Sequence, residues 1–265
     1  MGLLRMVLAG VVAGALLTAV LAPAGWASAA GPADGAGVRP RGPVVVLGDL
    51  RTAEHVAVLV PGMGIDPSHL GAPNQVLGMA RALRAEALRV RPDVRVAVVA
   101  WADYPAPSGF GVEVARGGPA AEGAHRLDRY LDTLRTRTGA PVSLFCHSYG
   151  SVVCGLTPLA GRVSDVVVYG SPGVRHDRAS AFGPDVRVWA ARADSDWIRF
   201  VPHVRVGDLG HGVDPTAPSF GARVLDAAGV PGHGGYFTHG SDTLRSFARI
   251  ATGDPSAARL AGSRR

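Results

Sequence analysis

Residues 144–151, with the sequence LFCHSYGS, decide the fold. The apolar run 141–145 that leads into this stretch predicts a short buried strand, and the small residues 151–156 that follow are compatible with a helix. Ser148 therefore lies in a sharp strand-to-helix turn, a nucleophile elbow, which exposes the serine hydroxyl. The N-terminus of the following helix also places backbone N–H groups beside that hydroxyl. We interpret Ser148 as a candidate nucleophile.

Cys146 occupies the position two residues before Ser148, where an elbow usually has glycine. Cysteine is small enough for this position, although the match to the motif is imperfect. The other cysteine of the chain is Cys154. We expect the strand end and the second helical turn to be offset along the sheet, so that a bridge would strain its geometry. The two cysteines are therefore expected to be small core residues, with a disulfide between them as the less favoured alternative.

The composition is that of one large globular domain. The chain has 265 residues, of which 47% are hydrophobic and 18% charged, and its net charge is +6. All 27 basic residues are arginines, and they are scattered along the sequence. A scattered distribution argues against nucleic-acid binding, whereas a basic surface favours an anionic substrate or an association with the cell envelope. We expect a monomer.

The N-terminus has the three regions of a secretory signal peptide. A basic start is followed by an uncharged apolar run, residues 6–21, and by the small-residue motif Ala27-Ser28-Ala29. We predict export with cleavage after Ala29, which gives a signal peptide over residues 1–29. Residues 30–43 are predicted to form a flexible leader, residues 44–253 the catalytic domain, and residues 254–265 a loose C-terminal tail.

Strands and helices are predicted to alternate along the mature chain. This alternation favours an α/β fold with a mostly parallel central sheet, helices on both faces and little or no cap domain. Any cap is expected within residues 174–184, and the Pro- and Gly-rich residues 105–118 are expected to border a substrate cleft. The predicted strands cover residues 44–47, 54–60, 94–100, 141–145, 163–169 and 185–191, and the predicted helices cover residues 74–90, 119–136, 151–156 and 241–251.

A serine nucleophile needs a base, and the base needs an orienting acid. In elbow-type folds the acid follows a late strand and the histidine lies nearer the C-terminus. Asp196 has the preferred position after the strand at 185–191, Asp194 is the second candidate, and Asp177 is a more distant option. The turn after the strand at 54–60 supplies a second candidate oxyanion donor beside that of Tyr149: the backbone N–H of Met63, with that of Gly64 as the alternative.

His233 is the preferred base, because it lies in a glycine-flanked loop before the last helix. His239 is the second candidate, with a helix-capping role as its alternative. His211 is the third, and its alternative role is a structural histidine bonded to Asp214. The histidines lack metal-ligand spacing, and no cofactor motif is present, so neither a metal nor a cofactor is expected.

The ordered set of turn, acid loop and histidine loop resembles the α/β-hydrolases, and more narrowly a group of actinobacterial α/β-hydrolase domains of uncharacterised function. The resemblance runs from about residue 44 to residue 251. It implies that Ser148, Asp196 and His233 form a triad, with Met63 and Tyr149 as oxyanion donors. The implied activity is cleavage of small-molecule or lipid carboxylic esters through an acyl-enzyme. Acyl transfer to an envelope acceptor and an inactive, ligand-binding hydrolase fold are the alternatives.

Overall fold

The computed structural model describes residues 42–65, 68–109 and 111–263. These residues belong to one compact unit, Arg39–Arg265. The predicted signal peptide, and the predicted leader up to residue 41, lie outside the described residues. Within the described part of the chain, no helix is long and apolar enough to cross a membrane.

Seven strands form a single sheet in the order β1-β3-β2-β4-β5-β6-β9. Only β1 runs antiparallel to its neighbour, and the other pairs are parallel. The strands β2 to β5 consist mainly of buried valine, leucine and alanine, as expected for a sheet covered on both faces. The strands are β1 Val44–Leu47, β2 His55–Val60, β3 Val96–Trp101, β4 Val142–His147, β5 Asp165–Tyr169, β6 Arg187–Ala191, β7 Arg205–Val206, β8 Leu209–Gly210 and β9 Arg223–Val224.

Four helices cover the sheet, two on each face. They are α1 Val76–Val90, α2 Gly118–Arg135, α3 Tyr149–Leu156 and α4 Asp242–Ala251. Alternate residues of each strand face opposite sides, so that Val58 packs in the core of α2 and α3 while Leu59 packs in the core of α1 and α4. The predicted α/β fold with a mostly parallel sheet and helices on both faces is confirmed.

The register of the sheet brings several loops to one edge. Val60 pairs with Cys146, His147 pairs with Tyr169, and Tyr169 pairs with Ala191. The carboxyl ends of β2, β4, β5 and β6 are therefore level with one another. The loops that follow these strands meet there, as is usual for ligand sites in parallel sheets.

The segments predicted as cap and tail have other structures. Residues 174–184 pack into the core through a 3-10 helix, Ala179–Phe182, and so do not form a cap. The predicted loose tail is ordered to residue 263, because Leu260 bridges Leu225 and the Ala261 N–H donates to the Val224 carbonyl at 2.9 Å. Sequence reasoning missed both because these contacts are made with residues distant in the chain.

Candidate active site

Ser148 occupies the turn between β4 and α3 in a strained backbone conformation. Its φ is 49° and its ψ is −125°. Among the described residues, only one other non-glycine residue, Arg175, has a positive φ. The Ser148 N–H donates to the Tyr169 carbonyl at 3.0 Å, which ties the turn to the neighbouring strand. Such conformations cost on the order of 1–3 kcal/mol and cluster at functional sites.

Two glycines allow the close packing around Ser148. A Cβ added to Gly62, in the loop after β2, would lie 2.7 Å from the Ser148 Cβ. A Cβ added to Gly150 would lie 2.3 Å from the Pro61 carbonyl oxygen. Neither position can hold a larger residue without movement of the backbone. The loop after β2 therefore lies directly against the turn that carries Ser148.

A disulfide joins Cys146 to Cys154, which corrects the prediction that the cysteines are unpaired. The Cα atoms are 6.5 Å apart, within the usual range for a bridge. The offset expected from the sequence does not arise, because the sharp turn folds α3 back along β4. The helix rises only about 1.5 Å per residue, so Cys154 remains opposite the end of the strand. Both cysteines are fully buried beneath the turn.

His233 and Asp196 form a hydrogen-bonded pair beside the elbow. His233 Nδ1 lies 2.8 Å from Asp196 Oδ1. The two loops are also held together by Ser195, whose hydroxyl donates to the Val230 carbonyl at 2.6 Å and accepts from the Gly232 N–H at 2.8 Å. Because a carboxylate only accepts, Nδ1 carries the proton and Nε2 is free to act as a base.

Asp196 is completely buried and accepts two further hydrogen bonds. The Ile198 N–H donates to Oδ1 at 2.9 Å, and the Tyr236 hydroxyl donates to Oδ2 at 2.6 Å. Burial by itself raises the pKa of Asp196, but the bonds from His233, Tyr236 and Ile198 outweigh it and hold the pKa below its ordinary value. Burial and the Asp196 charge raise the pKa of Tyr236 well above the ordinary value, so Tyr236 stays protonated as a donor.

His147 links the elbow to the histidine loop. Its ring lies 4.7 Å from the His233 ring, and its Nε2 lies 2.9 Å from the His233 carbonyl oxygen. Burial, together with repulsion from His233, lowers the pKa of His147 to about 3. The neutral ring must donate through Nε2–H, since a carbonyl oxygen can only accept. His147 therefore fixes the backbone of His233 without competing for its proton.

The residue before Ser148, His147, packs against His233, but no hydrogen bond joins the Ser148 hydroxyl to the His233 ring in the described structure. The Trp197 ring lies 4.6 Å from the His233 ring, and Trp197 lines a pocket together with Ser148. In sites without a bound substrate, contacts between nucleophile and base are often longer than in the reacting complex.

The two predicted oxyanion donors, Tyr149 and Met63, line the same pocket as Ser148. The Tyr149 N–H is at the first position of α3, and Met63 follows the glycine that touches Ser148. Among the described residues, no hydrogen bond occupies either N–H group. Tyr104 holds the Met63 loop, because its buried hydroxyl lies 2.7 Å from the Pro61 carbonyl and 3.0 Å from the Gly62 carbonyl.

The alternative acids and bases lie elsewhere. Asp194 and Asp177 are exposed and do not reach His233, and His239 is exposed. The last helix is capped by Ser241, whose hydroxyl accepts from the Leu244 N–H at 3.1 Å, and not by His239. His211 has a structural role, as its alternative interpretation predicted, but its hydrogen-bond partner is not Asp214.

His211 lies 2.8 Å from the Val114 carbonyl oxygen through Nε2, and not next to Asp214. Asp214 instead pairs with Arg192 and accepts from Thr216. Burial lowers the pKa of His211, so its ring is a neutral donor. The His211 ring also forms an edge-on contact with Tyr149, 5.6 Å between centroids.

An almost entirely apolar pocket of about 130 Å³ opens beside Ser148. Val114 and Ala115 line it, so the loop 105–118 borders the site as expected. A larger cavity of about 530 Å³ lies at the opposite end of the strands, near Val142 and Ser164, and is remote from this chemistry. The remaining lining residues of the pocket are Met63, Ser148, Tyr149, Pro172, Trp197, Ile198, Val201, Gly210 and His211.

The parallel sheet, the strained serine turn and the Asp-His pair at its carboxyl edge define an α/β-hydrolase. A family model described as alpha/beta hydrolase matches residues 38–206 of this chain. Since this stretch covers more than half of the 265 residues, the chain belongs to the α/β-hydrolase family. The match includes Ser148 and Asp196 and ends before His233. The family resemblance noted in the sequence is confirmed.

Two uncharacterised proteins of Mycobacterium tuberculosis are similar in sequence. One is 38% identical over 148 residues, which are 52% of this chain and 55% of the relative. The second is 30% identical over 247 residues, which are 79% of this chain and 36% of the relative. The chain therefore spans about half, or less, of the length of these curated relatives.

Two solved structures are similar in fold. Esterase PE8 is 21% identical, with a TM-score of 0.49 and coverage of 79% of this chain and 96% of that chain. Trichoderma reesei cutinase, in complex with a phosphonate inhibitor, is 12% identical, with a TM-score of 0.45 and coverage of 78% and 79%.

Proposed function

We propose that this chain is a serine hydrolase that cleaves carboxylic esters through Ser148, His233 and Asp196. The observation that carries the proposal is the strained backbone of Ser148 at the end of β4, where the preceding residue, His147, contacts a histidine whose Nδ1 lies 2.8 Å from a buried aspartate. A strained residue persists only where the surrounding structure enforces it. Here the enforced conformation presents a hydroxyl to a base that already has its orienting acid.

The proposed reaction has two acyl-transfer steps. His233 Nε2 takes the proton of the Ser148 hydroxyl as its oxygen attacks the ester carbonyl carbon. The negative charge on the carbonyl oxygen is held by the N–H groups of Met63 and Tyr149, and His233 returns the proton to the departing alcohol. Water, activated by the same base, then attacks the acyl-enzyme and releases the acid, and the proton returns to Ser148.

The apolar pocket supports an ester with a short apolar acyl group. Its volume of about 130 Å³ is below the ~300–1,000 Å³ typical of sites for drug-sized ligands. Among the described residues, the pocket is lined by no charged side chain, because its one histidine, His211, has a pKa lowered by burial. A charged acyl group would lose its hydration there without gaining a partner.

Export is part of the proposal. The disulfide between Cys146 and Cys154 supports it, because disulfides persist in oxidising compartments outside the cytosol. The predicted cleavage after Ala29 is tested by N-terminal sequencing of the protein recovered from the medium or envelope of an expressing cell. Recovery of only the uncleaved chain from the cytosol would contradict export.

The test of the catalytic proposal is labelling with a fluorophosphonate, followed by mass spectrometry of the modified peptide. We expect label on Ser148 in the wild type, and no label in Ser148→Ala or His233→Ala. Asp194→Ala, which changes an exposed aspartate, is the matched control and should keep its label. Folded protein that takes no label, or takes it on another serine, would refute the assignment. Product analysis with added alcohols then separates hydrolysis from acyl transfer.

A further inference from the structure

Most of the exposed large apolar side chains lie on or beside segments that also line the pocket. Among the described residues, nine such side chains are exposed, and six of them lie on three segments that line this pocket. Phe200 is 73% exposed and Val206 76% exposed. We call the six residues the docking face: Val112, Trp197, Phe200, Val204, Val206 and Leu209. Clustered apolar exposure of this kind marks a binding surface.

The three segments form one continuous surface. The first is a 3-10 helix, Val112–Ala115, and the second is a 3-10 helix, Trp197–Phe200. The third is the hairpin of β7 and β8, which bridges the first segment through Arg116 and Leu209. All three supply lining residues to the pocket. The docking face and the pocket are therefore built from the same three segments, so that a short apolar group bound at the face lies close to the pocket.

The hairpin is held in place from below by Arg175. This side chain is 9% exposed and lies 3.0 Å from the Asp208 carboxylate through Nη1. Its Nη2 donates to the Asp208 carbonyl at 2.6 Å, and the backbone N–H of Arg175 donates to the His211 carbonyl at 2.8 Å. Val206 and Leu209 are therefore exposed on a hairpin whose backbone is held by these contacts.

Basic side chains border the docking face. Arg116, Arg199 and Arg205 are exposed, and none forms an ion pair with a carboxylate in the described part of the chain. Three exposed carboxylates, Glu113, Asp194 and Asp208, lie on or beside the same segments, and Asp208 pairs with Arg175, so that four arginines stand against three carboxylates. The surface therefore has a small excess of positive charge, in a chain whose net charge is +6. Apolar side chains interspersed with arginines match the interface of an anionic lipid layer.

We propose that the docking face binds the surface of an anionic lipid layer and that an ester held in this layer places a short acyl group in the pocket. The second half rests on the proposed ester hydrolysis, whereas binding to the layer does not. A lipid surface fits better than a protein partner because the docking face shares its three segments with an apolar pocket that Ser148 lines. A protein partner would have no use for that pocket.

The experiment measures co-sedimentation with vesicles. The protein begins at Ala30, so that the apolar N-terminal residues do not contribute, and carries Ser148→Ala, so that the lipid is not consumed. The compact unit from Arg39 onward is retained. Vesicles of phosphatidylcholine alone are compared with vesicles of equal parts phosphatidylcholine and phosphatidylglycerol. The test variant is Phe200→Ser/Val206→Ser, and the matched control is Leu88→Ser, an apolar residue of α1 that is 38% exposed.

We expect binding to the anionic vesicles, weakened by salt, and a loss of affinity of about tenfold or more in the test variant. The control should bind as the parent does. With Ser148 restored, the test variant should hydrolyse a soluble monomeric ester normally but lose activity on esters embedded in the vesicles.

Equal vesicle binding by the test variant and the parent would overturn the inference, as would no binding by the parent. A dimer in solution that the test variant dissociates would also overturn it, because the face would then bind a second copy. If the face binds vesicles while Ser148 takes no fluorophosphonate, ester hydrolysis fails and the lipid-binding surface stands.

Discussion

The substitution Tyr236→Phe removes the hydroxyl that donates a hydrogen bond to the buried Asp196 carboxylate. We expect Tyr236→Phe to lower the free energy of unfolding by about 2–3 kcal/mol at neutral pH, since a hydrogen bond to a charged group contributes about 1.5–3 kcal/mol. The hydroxyl also accepts from the Ala193 N–H at 3.1 Å, so the variant leaves two groups unpaired. Tyr236 is 1% and Asp196 0% exposed, so water cannot replace either bond.

The loss of unfolding free energy in Tyr236→Phe should be larger at neutral pH than at acidic pH. The pKa of Asp196 is lower in the folded than in the unfolded chain. Its ionisation therefore stabilises the fold above the ordinary aspartate pKa of about 4, and this contribution is lost as the pH falls through the folded pKa. Without the Tyr236 donor, the folded pKa of Asp196 rises toward its ordinary value, because the ionised carboxylate loses one of its hydrogen bonds. The difference in unfolding free energy between the wild type and the variant should thus reach its full value above about pH 5 and become smaller below about pH 4.

The assay is urea unfolding of both proteins across this pH range, with steady-state kinetics on a soluble ester. Because Asp196 loses one of its three donors, we expect kcat to fall about tenfold with little change in KM. Tyr169→Phe is the matched control, since the Tyr169 ring is 5.3 Å from that of Tyr236 and its hydroxyl makes no described bond to Asp196. A loss of stability below about 0.5 kcal/mol, or one that does not vary with pH, would refute the reasoning.

Three further perturbations test the elbow and the acid. Gly150→Ala places a Cβ 2.3 Å from a carbonyl oxygen of the β2 loop; we expect a loss of about 1–3 kcal/mol in urea unfolding and of most fluorophosphonate labelling. Cys146→Ala/Cys154→Ala opens a loop with a sequence separation of 8; it should cost about 2.5 kcal/mol and make unfolding insensitive to dithiothreitol, which destabilises the wild type. Asp196→Asn should lower kcat by about 10⁴, as in other serine triads, whereas Asp194→Asn should stay within about twofold.

Hydrophobic periodicity predicted the central strands and helices, because such a pattern depends only on residues that are close in the sequence. Residues 44–47 were predicted as a strand with the bounds that the structure has, and the other sheet strands to β6 differ by one or two residues at their ends. The two-residue strands β7, β8 and β9 are too short to show any period. They form only because the rest of the fold brings their partners close.

The errors at the site concern contacts across the fold. The bridge between Cys146 and Cys154 depends on the angle at which α3 leaves the turn, which residue spacing does not reveal. Tyr236 follows His233 by three residues in the sequence, but its bond to Asp196 spans 40 residues of chain. One signal was present: a tyrosine three positions after the candidate base can turn back toward the same acid. Distinguishing such a residue from an ordinary core tyrosine requires the coordinates.

The residues that hold Ser148 in place differ from the residues that form the docking face. Ser148 is held from below by the disulfide, from one side by Gly62 and from another by the fit of α3 against the β2 loop. The docking face lies on short segments that contribute little to the sheet, and only Ile198 among their residues is well buried. Because the two sets of residues barely overlap, serine substitutions at Phe200 and Val206 should alter where the protein binds without altering the reactivity of Ser148. A combined fall in vesicle binding and fluorophosphonate labelling would show that the two are coupled.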